Sequence, residues 1–155
     1  MILTELLTPD RVHVHAETEG PLDKPQAIAR LAKMLASESA SEETVAHVLN
    51  EREQLQSTGI GEGVAIPHAS LARLTQQSAA LLVVPGGVAF DAIDAGDVRL
   101  LFAILAPKSA TGEHLKTLAR VSRLLRSKAF REELISSPDG RAAFDLIAQE
   151  ERGPA

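Results

Sequence analysis

Cysteine, tryptophan and tyrosine are all missing from this chain, and four phenylalanines supply its whole 3% of aromatic residues. Without cysteine there can be no disulfide, no thiol chemistry and no thiolate-ligated zinc. With so few rings the core must be aliphatic, and the stacking surface that a single-strand nucleic-acid binder needs is absent. Positive charge is also in deficit: 16 Lys and Arg against 21 Asp and Glu leave a formal net charge of −5. That balance argues against nucleic acid or an anionic membrane as the main partner. No run of about 18 apolar residues occurs, and no basic flank leads into an apolar signal core. The chain is therefore expected to be cytoplasmic and not membrane-embedded.

What is present is an ordinary globular composition, 45% apolar and 24% charged over 155 residues, enough to bury a real core. A single domain over 1–155 is expected, with the last few residues disordered. Spacing predicts a short helix over 3–7, a strand over 12–15 and a turn over 17–22. A helix then starts behind Asp23 as cap, with Ile28, Leu31, Ala32 and Leu35 forming one apolar stripe. Ser41 caps the next, whose buried side is Val45, Val48 and Leu49. Strands are expected over 78–84, 88–90 and 98–105, the first closed by Pro85-Gly86-Gly87. A helix capped by Thr111 carries Leu115, Leu118, Ser122 and Leu125, and two shorter helices follow behind Ser127 and Ser137. Strands interleaved with helices make an α/β domain with its sheet between helices.

The most informative run is Ser57-Thr58-Gly59-Ile60-Gly61-Glu62-Gly63-Val64-Ala65-Ile66-Pro67-His68-Ala69. Its glycines permit a tight loop or a close approach to a bound group. Val64 to Ile66 reads as a short buried strand that Pro67 ends, and the next residue is an imidazole. The glycine spacing does not fit G-x-G-x-x-G, since position 64 is Val, and the run leads into a strand instead of opening a helix. No G-K-[ST] follows, so neither familiar nucleotide loop is present. A neutral imidazole at a rigid strand end is a competent nucleophile toward a phosphoryl group.

His114 is the second candidate. With Thr111 as cap it falls at the third helical residue, where free N–H groups favour an anion, on the face of Leu118, Val121 and Leu125. Arg52, a few residues ahead of the glycine run, has the planar fork that suits phosphoryl oxygens. His13 and His15 lie two apart on a strand, which is metal-ligand spacing. No third ligand stands out, so a strand edge at the surface is the expected reading and no metal is assigned, although a metal-dependent hydrolase built on His13, His15 and His68 defines one alternative.

Arg52-Glu53-x-x-x-Ser57-Thr58-Gly59-Ile60-Gly61-x-Gly63-Val64-Ala65-Ile66-Pro67-His68 resembles the active-site signature of the fructose/mannitol-type enzyme IIA of the bacterial phosphoenolpyruvate-dependent phosphotransferase system. Phe90-Asp91-Ala92-Ile93-Asp94, the stretch from Val98 to Pro107 and His114-Leu115-x-x-Leu118-Ala119 are similar to the rest of that domain. The resemblance implies a mixed five-stranded sheet with helices on both faces and no cofactor. It implies His68 as the phosphorylated residue, His114 and Arg52 as the groups that steady the phosphoryl group, and Ser57, Thr58, Gly59 and Gly61 as the supporting loop. The donor it implies is phosphorylated HPr or a paralogue, itself charged by enzyme I. Phe-Asp-Ala-Ile-Asp and the absence of both a carrier cysteine and a membrane span make the chain most similar to the nitrogen-related, regulatory branch. There the phosphorylation state governs binding to other proteins; a separate IIB subunit is the alternative acceptor. Two positions depart from the family pattern. Ala69 replaces the usual Gly, and Ala95-Gly96-Asp97 replaces Gly-x-Pro, a change expected to alter only a turn.

Overall fold

Two long apolar strands, β5 (Ser78–Val88) and β6 (Val98–Pro107), pair antiparallel through Leu81 with Phe102 and Leu82 with Leu101. Both are buried on both faces, as near-continuous hydrophobic runs require. In this computed structural model, which describes residues 2–153, the remaining strands join that centre. β1 (Val12–Val14) runs parallel to β5 on one side. On the other side β3 (Val64–Ala65) and β4 (His68–Leu71) both run parallel to β6, and β2 (Gly59–Gly61) pairs antiparallel with β3. The register against β6 is unchanged across Ile66 and Pro67, so β3 and β4 are two pieces of one lane. The six segments therefore fill five lanes, in the order β1, β5, β6, β3 with β4, β2. The mixed α/β sheet expected from the sequence is the one observed. The tail beyond residue 153, where disorder is expected, lies outside the described residues.

Alternation along the central strands builds a core on each face. Ala80, Leu82 and Val84 face α2 (Lys24–Leu35) and α3 (Glu42–Leu55), whose Ile28, Leu31, Val45 and Leu49 complete the first core. Ala79, Leu81 and Val83 face the second, closed by α1 (Leu3–Leu7), α4 (Thr111–Leu124), α5 (Lys128–Ile135) and α6 (Gly140–Arg152). α2 starts where expected because Asp23 accepts from the Gln26 N–H at 2.8 Å while Gln26 accepts from the Asp23 N–H at 2.9 Å. Ser41 and Ser127 cap α3 and α5 by accepting from the Thr44 and Phe130 N–H groups, without the reciprocal bond.

Three expectations need correction. β5 does not stop at Pro85: it continues to Val88 with a register shift between Val83 and Val88, because Pro85 removes a ladder donor without turning the extended chain. α4 begins at Thr111 itself, behind Ala110, whose side chain has no capping oxygen. Packing on the sheet buries His114, Thr117 and Val121, and Leu115 stands 61% exposed. α6 is capped by Asp139, which accepts from the Ala142 N–H at 2.9 Å, while the Ser137 hydroxyl donates to the Glu133 carbonyl at 3.2 Å. A carboxylate two residues closer to the helix displaces the serine as cap.

Candidate active site

His68 opens β4 and pairs in register with Ile104 of β6. Neighbours in register share a sheet face, and Ile104 belongs to the second core. His68 thus lies on the α4 side of the sheet, half-buried, with its ring centroid 5.5 Å from that of His114 and the two planes 54° apart. Arg52 comes from the last turn of α3, on the opposite face. The three side chains meet in a shallow depression that Glu51, Leu55, Ser70 and Lys108 also line. The sequence-based grouping of His68, His114 and Arg52 is therefore found in space.

The tautomer of His68 is set by its own chain. Nδ1–H donates to the Ile66 carbonyl at 2.7 Å, which leaves the Nε2 lone pair as the free nitrogen of the ring. Burial is the main cause holding the His68 pKa below its ordinary value; the Ile66 bond opposes it, the nearby Arg52 guanidinium lowers it further and Glu53 raises it. His114 is also lowered, first by burial and then by the proximity of His68. Its Nδ1 is enclosed with no partner, so Nε2 is the nitrogen left to serve the depression. Arg52 donates through one terminal nitrogen to the Gln56 carbonyl at 2.9 Å, fixing the side chain at the helix end with its other donors uncommitted. Two neutral imidazoles between Arg52 and Lys108 make a basin that favours an anion and keeps a nucleophilic nitrogen unprotonated at neutral pH.

The glycine run does something other than cradle that anion. None of its glycines lines the depression. They build the hairpin of β2 and β3 at the sheet edge, where Gly61 needs φ of +92°. A Cβ at Gly59 would stand 2.9 Å from the Cα of Ala92, so the hairpin packs tightly on the loop over 90–96. Ser57 stitches the same contact: its hydroxyl donates to the Phe90 carbonyl at 2.7 Å and accepts from the Gly59 N–H at 3.1 Å. Thr58 donates its N–H to Glu53 at 3.1 Å and its hydroxyl to the same carboxylate.

Lys24 and Lys108 escaped the sequence reading, and Glu53 entered it only as a member of the signature, with no role. Glu53 is buried and receives Lys24 at 3.1 Å as well as Thr58, which ties α2, α3 and the loop together. Lys108 gave only the signal of a cation following the proline that ends β6. Ala69, the first departure from the family pattern, lies in a regular strand and packs on the first core, so its methyl is accommodated. Ala95 is different: it sits at φ of 59°, where a glycine would be unstrained.

His15 is not at a strand-edge surface as expected but buried, 5% exposed. Nor does His68 join His13 and His15. His13 lies in β1 and His15 just past its end; Val14 aligns with Val83, and Val83 aligns with Leu100 near the start of β6. His68 aligns with Ile104, farther along β6 and on its other flank, about 20 Å away at strand and lane spacings. A hydrolase site built on those three histidines does not assemble.

Known proteins show the same pattern. Residues 5–150 match the family described as phosphoenolpyruvate-dependent sugar phosphotransferase system, EIIA 2. The chain is 33% identical over 153 residues to the nitrogen regulatory protein of Pseudomonas aeruginosa, covering 97% of each. It is 34% identical over 155 residues to the fructose-specific EIIABC component of Bacillus subtilis, covering 98% of this chain and 24% of that protein. The crystal structure of nitrogen regulatory protein IIA-Ntr from Neisseria meningitidis superposes with a TM-score of 0.81 at 33% identity, covering 92% of this chain and 97% of that one. The chain belongs to the EIIA type-2 family of the phosphoenolpyruvate-dependent phosphotransferase system and is a phosphotransferase component, with nitrogen regulatory proteins among its similar relatives.

Proposed function

We propose that His68 accepts a phosphoryl group on Nε2 from the phosphohistidine of an HPr-like carrier, and that the resulting charge switches the binding of a regulated protein. The observation that carries this reading is the 2.7 Å bond from Nδ1–H to the Ile66 carbonyl, which presents the Nε2 lone pair outward. That lone pair attacks phosphorus; the phosphorus–nitrogen bond of the donor breaks, and the donor imidazole keeps the electron pair. The positive charge the ring gains is borne at Nδ1, where the Ile66 carbonyl holds the proton. His114, through Nε2, and the free donors of Arg52 hold the phosphoryl oxygens, supplying the positioning and charge stabilisation on which such transfers depend.

Regulation follows from the same basin. Without phosphate, exposed Leu55 stands beside Arg52, Lys108 and the two rings. A phosphoryl group adds about −1.5 to −2 charges there, enough to repel an acidic partner that the bare basin attracts. Phosphoryl chemistry here needs no metal or organic cofactor, and we assign the protein to the cytoplasm, as one domain.

Intact-mass measurement after incubation with enzyme I, HPr and phosphoenolpyruvate tests the reading. Wild type gains one acid-labile phosphoryl group and His68→Ala gains none. An unmodified wild type would make the fold a pure binding module; phosphate retained by His68→Ala would place the acceptor elsewhere. A second acceptor, a separate IIB subunit, is favoured by a relative that is a fructose-specific EIIA component of this chain's own length. Label passing from the phosphorylated chain to a IIB cysteine would distinguish it.

A further inference from the structure

We infer that His13, His15 and Glu19 form a binding site for one divalent transition-metal cation of the zinc class, separate from the phosphoryl site. The turn after β1 makes the third ligand that sequence spacing does not reveal. A single 3-10 turn, Glu17–Glu19, folds the chain back so that Glu19 lies against both imidazoles. His13 Nε2 is 3.1 Å from the Glu19 carboxylate and His15 Nδ1 is 3.7 Å from it. One ligand atom from each of the three lies within 4.8 Å of the others. Zinc bonds of 2.0–2.2 Å to nitrogen and oxygen give a tetrahedral ligand-to-ligand edge of about 3.3 Å, inside that range.

His15 carries the argument beyond proximity. Its ring is buried, and its Nε2–H donates to the Gly20 carbonyl. The proton is thus committed to Nε2, and Nδ1 offers a lone pair that has no hydrogen-bond partner. An outer N–H anchored on a carbonyl, with the inner nitrogen bare, is how metal-ligating histidines are usually held. An unpaired buried nitrogen costs stability that a cation would restore. Glu19 is oriented too: it accepts from the Ala16 N–H at 2.8 Å and from Arg30 at 3.3 Å. Arg30 is the one cation competing at this carboxylate that the structure shows, and it engages Oε1, whereas the His15 approach is to Oε2. His13 donates Nε2–H to Glu19 in the absence of metal; to ligate, it moves that proton to Nδ1. Two imidazoles with one carboxylate favour zinc-like ions over Mg2+, which demands oxygen ligands. A bound cation would pin the end of β1 to the turn that leads into α2.

The test is calorimetric titration of Zn2+ into the full chain, with thermal melting in parallel. Wild type is expected to bind one equivalent, to melt higher with Zn2+ and to return to its starting point with chelator; Mg2+ gives no saturable heat. His13→Gln and Glu19→Gln, both at accessible positions that leave the fold intact, each weaken binding by about tenfold or more. His15→Ala, which opens the buried site, is therefore not needed. His68→Ala and His47→Ala, the latter removing the exposed pair with Glu51 on α3, bind as wild type does. Binding that survives both His13→Gln and Glu19→Gln, or is lost in His68→Ala or His47→Ala, overturns the inference, as does the absence of a saturable site.

Discussion

Removing the carboxylate of Glu53 should loosen the platform on which the site is mounted. The side chain is 4% exposed and meets three donors: the Thr58 N–H, the Thr58 hydroxyl and the Lys24 ammonium at 3.1 Å. Breaking a buried ion pair by deleting one partner costs about 3–5 kcal/mol. Lys24 keeps some recourse, since its side chain is 19% exposed and its ammonium lies 4.5 Å from the Phe90 ring centroid and 3.7 Å from Asp91. The low end of that range therefore applies, about 3 kcal/mol for Glu53→Ala, or roughly 6–12 °C in melting temperature for a chain of this size. Glu53→Gln keeps the shape and one oxygen acceptor for Thr58 and should lose about half as much. Adding Lys24→Met to Glu53→Gln should recover part of the loss, because the uncompensated ammonium is gone. Urea unfolding of the four proteins measures this coupling. Glu53 also raises the His68 pKa, so an NMR titration of His68 in Glu53→Gln should shift lower still. A Glu53→Ala variant within about 1 kcal/mol of wild type, with an unmoved His68 titration, would refute the account of a charged clamp reaching from α2 to the nucleophile.

His68 and His114 are both held below the ordinary histidine value of 6.5, so the unfolded chain takes up protons first as pH falls. Stability should drop as the pH goes below 6.5 and level off only under the folded values; His68→Gln with His114→Gln should show a shallower slope in urea midpoints between pH 7.5 and 5. His114→Gln alone should still become phosphorylated, but about 10–100-fold more slowly in a single-turnover mass assay, since one group steadying the charge is lost. Gly140→Ala would drive a Cβ to within 2.0 Å of the Val12 carbonyl oxygen; a cost of about 3 kcal/mol by chemical unfolding is expected, because backbone must move on both sides. Ala95→Gly should instead stabilise by about 1 kcal/mol, relieving a left-handed alanine.

What the sequence made legible was local chemistry. Asp23, Ser41 and Ser127 announce helix starts because capping involves neighbours three residues away. Pro67-His68 announces the proposed nucleophile because a proline and an imidazole in sequence also stand together in space. What stayed hidden was placed by tertiary structure. Glu53 reads as one more acidic residue on a helix, and nothing local shows that it faces Thr58 and Lys24. Glu19 joins His13 and His15 only because the chain doubles back in a 3-10 turn. The glycines left two readings open, a tight loop or a close approach to a bound group; the tight loop is the one found, with Ala92 packed against Gly59. Leu115 misled because helical spacing also allows a stripe through His114, Thr117 and Val121, and packing on the sheet buries that one.

The break between β3 and β4 explains how the proposed nucleophile, His68, can stand on a sheet with its ring fixed. In an unbroken lane, backbone groups are committed to the ladder and a histidine has none to spare for its own ring. Here the Ile66 N–H donates to the Thr58 carbonyl at 3.1 Å, and the Pro67 carbonyl accepts from the Ile104 N–H at 2.9 Å. Proline contributes no N–H of its own, and the Ile66 carbonyl between these two bonds is the acceptor for His68 Nδ1. The lane resumes in register at His68, so the ring is held at a strand's rigidity and not at a loop's. Because β2 pairs with β3 and not with β4, the lane ends at β4 beside α3. Arg52 can then reach from one face of the sheet around this open edge toward two histidines on the other. Residues anchored in two separate cores converge on one depression because a single proline interrupts the strand between them.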